Sequence, residues 1–98
     1  MARRLRVSAL AARDVGRIGV YSRQRWGIAV AVRYLLGLDA AMRRLRRSPS
    51  LGSNYGEVLP GVHRYLFKSH FLYYTVSDDS VRIVRILHVR MSPKRHLQ

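Results

Sequence analysis

Cysteine is absent from this 98-residue chain, which excludes a disulfide framework, a thiolate metal site and a cysteine nucleophile. Acids are scarce, five Asp and Glu against 19 Lys and Arg, and they are scattered along the chain. The four histidines, at 63, 70, 88 and 96, have no metal-ligand spacing. No G-x-S-x-G frame carries a serine nucleophile, and the two glycines of L-G-S-N-Y-G are not followed by the Lys-Ser/Thr helix start of a phosphate loop. No metal or other cofactor is therefore expected. Apolar runs stay well short of the roughly 20 residues that span a bilayer. The opening M-A-R-R-L-R-V also lacks the apolar core of a signal peptide, so no membrane contact and a cytoplasmic location are expected. Repeats and low-complexity segments are missing too.

What is present is a hydrophobic content of 48%, too high for a disordered chain, together with a net charge of +14. Seventeen of the 19 cations are Arg, whose planar fork grips phosphate or carboxylate in two places. A field this positive implies a polyanionic partner, either nucleic acid or an acidic protein segment. The length fits one domain, 1–98, built on one core.

The pattern along the chain is ordered. Residues 3–7 alternate as a short strand, and Ser8 can cap the helix that follows. Over 9–25, helical spacing puts Leu10, Ala11, Val15, Ile18 and Tyr21 on one arc, with Asp14 inside it. Trp26-Gly27 marks a turn. A second helix over 28–47 gathers Val30, Ala31, Tyr34, Leu35, Leu38, Ala41, Met42 and Leu45 on one face. Beside them Ile28, Val32 and Leu36 form a second strip, which either packs on the first helix or is left for a partner. Residues 48–61 read as loop, and 62–68, 71–76 and 81–91 as three strands of an antiparallel meander. Pro93 opens a basic tail over 93–98. The fold class is α+β in the order β-α-α-β-β-β, a helical hairpin on a mainly antiparallel sheet of about four strands.

The last strand carries the chemistry. Strict alternation puts Val81, Ile83, Arg85, Leu87, Val89 and Met91 on one face and Arg82, Val84, Ile86, His88 and Arg90 on the other. Asp14 on the apolar arc and Arg85 on an apolar strand face would each be stranded alone, so they are expected to form a buried structural ion pair. His88 and Arg90, with Lys94, Arg95 and His96 just beyond, form a basic end expected to contact a target. Aromatic rings at His63, Tyr65, Phe67, Tyr73 and Tyr74 interleave with the cations, as on nucleotide-stacking surfaces, although aromatics are also good strand residues.

A set of motifs occurs in order: Ala11-x-x-Asp14-Val15-x-x-Ile18-x-x-Tyr21, Trp26-Gly27, Ala31-x-x-Tyr34, Leu45, Pro49-x-x-Gly52, Pro60-Gly61 and Ile83-x-Arg85-Ile86-x-His88-x-Arg90-Met91. With these the chain resembles the ParE branch of the RelE/ParE toxin superfamily over about 7–97. The resemblance implies a toxin of a type II toxin–antitoxin pair that inhibits DNA gyrase by binding, without catalysis of its own. It implies a ParD-like antitoxin whose acidic, disordered tail folds onto the toxin in a hetero-oligomer, and that accounts for the +14 charge. The strip Ile28, Val32 and Leu36, or else the sheet edge, is the expected antitoxin contact. The alternative is a RelE-like ribosome-dependent mRNA endonuclease, for which Arg64, Lys68, Arg90 and His96 occupy comparable places. Ser92 stands where the family commonly has Asp.

Overall fold

In the computed structural model, which describes residues 3–97, β1 (Arg4–Val7) leads through Ser8 into α1 (Ala9–Trp26). Ser8 sits in extended geometry and its hydroxyl accepts the Ala11 N–H, satisfying one of the orphan donors of the first turn. The same hydroxyl donates to the Val84 carbonyl at 2.8 Å, so one side chain caps the helix and ties it to the sheet. Gly27, at φ +90°, closes α1 and opens α2 (Ile28–Arg47) with no intervening loop, a conformation that a Cβ would strain.

After α2 come a 3₁₀ turn at Pro49–Leu51, the two-residue β2 (Ser53–Asn54), β3 (His63–Phe67), β4 (His70–Val76), β5 (Ser80–His88) and α3 (Pro93–Leu97). The strands form one sheet in the order β1-β5-β4-β3-β2, with β1 parallel to β5 and every other pair antiparallel. The α+β class and the helical hairpin on the sheet agree with the expected order. The expected loop over 48–61 contains the 3₁₀ turn and β2. The expected tail forms α3, with Gln98 outside the described residues, as are Met1 and Ala2 of the expected 1–98 domain. No helix is long and apolar enough to cross a membrane among the described residues.

The main core lies between sheet and helices. Leu38, Ala41 and Leu45 of α2 and Ala11 and Ile18 of α1 pack on Leu72, Tyr74, Val81, Ile83 and Ile86. Tyr74 is fully buried, and its hydroxyl donates to the Pro49 carbonyl while accepting the Gly52 N–H. A smaller cluster of Val62, Tyr73 and Leu87 sits on the opposite face, covered by Tyr55, Leu59 and Leu97.

Two expectations fail together in β5. The strand ends at His88 rather than at Met91, because Met91 N–H turns back to the His88 carbonyl and Val89 N–H bonds the Ser69 carbonyl of the β3–β4 turn. Strict alternation fails as well. Tyr73 pairs with Arg85 but Tyr74 with Ile83, so Val84 is an extra residue, a β-bulge. Before it Val81 and Ile83 face the helices; after it Ile86 does, and Leu87 joins the opposite cluster. Of the first helical arc, Leu10 and Tyr21 are exposed; Leu10 borders a groove with Leu59, Arg82 and Leu97 rather than the main core.

Candidate functional site

Strand β1 stops opposite Ile83, which leaves the edge of β5 beyond that point unpaired. Asp14 covers it. Its Oδ2 accepts the Ile86 N–H at 2.9 Å and the Arg85 Nε–H at 2.8 Å, and its Oδ1 accepts from Arg85 Nη2 at 2.9 Å. Arg85 Nη1 donates to the His96 carbonyl at 2.9 Å. The guanidinium thus joins α1, β5 and α3, and its donation to the Asp14 carboxylate raises its already high pKa. No buried side-chain polar atom lacks a partner among the described residues. Asp14 and Arg85 form a two-point, largely buried pair whose geometry is structural rather than reactive.

The residues of the expected target-facing group fall on β5, the turn after it and α3. His88 closes β5 on the helix side, its ring set edge-on to that of His70 across the strands. Arg90 is exposed in the turn after β5, so its expected seat on a central strand is corrected: the turn hydrogen bonds end the ladder first. Its own N–H donates to His88 Nδ1. Lys94 and Arg95 are exposed on α3, while His96 is held by the Arg85 bond and by contact of its Nδ1 with the Ser92 carbonyl at 2.8 Å. Ser92 therefore starts the turn that seats His96.

The four residues considered for nuclease chemistry do not converge on one face. Arg64 lies on the face opposite the two long helices, its guanidinium 4.5 Å from the Tyr55 ring centroid and 4.2 Å from that of Phe71. Lys68 leans the other way, toward Tyr34 of α2 and Phe67. It also occupies the tight β3–β4 turn at φ +50°, the only described non-glycine residue with positive φ.

One polar cluster was not anticipated. Tyr34 reads in sequence as part of the buried stripe of α2, yet its hydroxyl lies 2.6 Å from His70 Nδ1 and accepts the Ser69 N–H. The tautomer of His70 decides which of the two groups donates in this contact, and a neutral ring with its proton on Nε2 accepts the hydroxyl proton. Burial, and then the positive charge that His88 can carry, push the His70 pKa down to about 4. Burial likewise raises that of Tyr34. The available signal was a tyrosine in an apolar stripe, since a buried hydroxyl needs a partner.

Ile28, Val32 and Leu36 are 68%, 48% and 64% exposed, so this strip does not pack on α1. Trp26 beside it is also exposed, and Val15, Val20, Val32 and Leu35 border a groove of about 350 Å³ between the two helices. Gly19 lets the helices close there, because a Cβ would stand 3.2 Å from Leu35 Cδ1.

A family model described as "ParE toxin of type II toxin-antitoxin system, parDE" matches residues 5–93. The protein named Toxin ParE1 of Caulobacter vibrioides is 34% identical over 94% of this chain and 95% of its own length. Toxin ParE1 of Mycobacterium tuberculosis is 36% identical over 74% of this chain and 76% of its own. Among solved structures, a chain of the chromosomal ParDE TA system from P. aeruginosa superposes with a TM-score of 0.80 at 19% identity, covering 91% of this chain and 98% of that one. Five strands, a two-helix hairpin joined at Gly27 and a match running through nearly every element lead to one assignment: this chain belongs to the ParE toxin family of type II toxin–antitoxin systems.

Proposed function

We propose that this protein inhibits DNA gyrase by binding it, and that a ParD-like antitoxin with an acidic tail neutralises it. The observation that carries the antitoxin half is the exposed strip Ile28, Val32 and Leu36 on a rigid helix, in a chain of charge +14. A disordered acidic segment that folds onto the strip gains apolar anchors, and the arginines speed its encounter. The relatives' names support the pairing: the solved neighbour is itself a ParDE system.

Binding rather than catalysis is supported by the dispersal of Arg64, Lys68, Arg90 and His96. Arg64 is engaged between two aromatic rings, Lys68 lies on the other side of the sheet and the His96 backbone is clipped by Arg85. General acid–base cleavage needs such groups within hydrogen-bond reach of one phosphodiester. The exposed cations Arg90, Lys94 and Arg95, with His88 and His96 behind them, are the proposed target contact.

Two assays on the purified protein test this reading. Gyrase supercoiling should stop on addition of the toxin, while mRNA on translating ribosomes stays intact. Codon-positioned cuts that vanish in His96→Ala would replace it with the endonuclease reading. For the antitoxin half, Ile28→Glu with Leu36→Glu should weaken capture by an acidic ParD-like partner by more than about tenfold, since each buried apolar side chain contributes roughly 1.5–3 kcal/mol. Unchanged capture would place the antitoxin elsewhere.

A further inference from the structure

The parallel register of β1 and β5 places Arg6 directly beside Arg82, one position from the Leu5–Val81 pair. Leu5, Val81 and Ile83 pack toward the two long helices, so alternation turns Arg4, Arg6 and Arg82 to the opposite face, part of which α3 covers. All three are exposed. Among the described residues the two ion pairs are Arg43–Asp39 and Arg85–Asp14, and no hydrogen bond engages the guanidinium of Arg6 or Arg82. The nearby Asp79 carboxylate accepts from Ser77 Oγ at 2.9 Å within the β4–β5 turn. Like charges set directly opposite one another across a ladder oppose sheet formation, and strands only about 4.8 Å apart keep them close. Nothing in the fold requires this pairing, and an anion held between the two forks would relieve it.

We propose that Arg4, Arg6 and Arg82 form a strip that binds the phosphate backbone of nucleic acid. Arg4 and Arg6 project about 6.6 Å apart along β1, at two residues of strand rise, and Arg82 stands beside the second. Three forks in that array can each take a phosphate in two-point fashion. Thr75, the register partner of Arg82 on β4, adds a hydroxyl next to the strip. A protein segment is the poorer occupant, because such partners draw their affinity from apolar anchors. Leu5 and Val81 point inward; Val7 and Leu10 are exposed nearby and Arg82 borders a groove with Leu59 and Leu97, while the longer exposed apolar strip Ile28, Val32 and Leu36 lies on the helical hairpin. Three arginine forks at one sheet edge, unpaired among the described residues, fit binding dominated by counterion release. The strip lies apart from the antitoxin strip on α2, and Arg82 borders a groove that His96 also lines, so the variants below are read by DNA binding alone and their failure leaves the gyrase and antitoxin readings standing.

The test is fluorescence anisotropy of the purified chain with a short labelled DNA duplex of mixed sequence across a salt series. The wild type should bind at low salt and lose affinity steeply as salt rises. Arg6→Gln with Arg82→Gln should reduce the slope of log K against log salt by about 2, one contact per residue, and weaken low-salt binding at least about tenfold. Arg13→Gln with Arg17→Gln removes the same charge from exposed positions of α1 and should leave the slope nearly unchanged. The Arg6/Arg82 variant should unfold at the same temperature as the parent or higher, because a repulsion is removed. Three outcomes each overturn the proposal: no low-salt binding by the wild type, equal losses in both double variants, or polyglutamate competing as well as DNA for the Arg6/Arg82-sensitive site.

Discussion

Asp14 on the first helix and Arg85 on the last strand, 71 residues apart in the chain, meet through two hydrogen bonds of 2.8 and 2.9 Å. The same carboxylate also closes the edge of β5 at Ile86. Removing its charge leaves a largely buried guanidinium and an edge N–H without their acceptor. Asp14→Asn is expected to cost roughly 3–5 kcal/mol in denaturant unfolding. A variant as stable as the parent would show that Arg85 finds compensation elsewhere.

Lys68 holds a left-handed backbone conformation in the two-residue turn between β3 and β4. For an L-residue this costs about 1–2 kcal/mol relative to glycine. Lys68→Gly should therefore raise the melting temperature by several degrees, as expected for a chain of this length. It should also leave the proposed gyrase inhibition intact, since Lys68 has no part in the proposed contact. Loss of stability in this variant would mean that the contact of Lys68 with the Tyr34 and Phe67 rings outweighs the strain.

His70 supplies a pH dependence with a definite sign. Its folded pKa of about 4 lies below the ordinary 6.5, so between these values the unfolded chain holds a proton that the folded one does not. The stability that it contributes is complete above about pH 6.5 and is lost as pH falls toward 4. Solvent screening at this partly exposed site holds the loss to about 1–2 kcal/mol. Thermal unfolding at pH 4.5 and pH 7 should differ less in His70→Gln than in the parent. Identical differences would assign the acid sensitivity to other groups.

The tail calls for a gentler probe than truncation. Leu97 packs into the second cluster and the His96 carbonyl accepts from Arg85, so deleting 93–98 would disturb the fold as well as the charge. Lys94→Glu with Arg95→Glu reverses two exposed cations and touches neither contact. Growth inhibition should fall sharply while stability stays within about 0.5 kcal/mol, the usual range for surface changes. Full toxicity in this variant would move the target contact away from α3.

The element order was legible without coordinates because helical and strand periodicities are local: the spacing of Leu38, Ala41, Met42 and Leu45 means the same thing wherever the helix packs. Asp14 was legible as a charge amid an apolar arc. Trp26-Gly27 and Ser8 marked the helix ends through backbone chemistry that belongs to each residue. Pairing and register are not local. The bulge at Val84 reverses which face Leu87 takes, and the β3–β4 turn, by bonding Val89, ends β5 before Arg90. The Tyr34–His70 contact depends on how α2 crosses the sheet, and the Arg6–Arg82 juxtaposition on a parallel register across 76 residues of chain. Sequence determined the segments and their amphipathic faces; tertiary structure decided which charges meet, because that follows from hydrogen-bond partners supplied by distant strands.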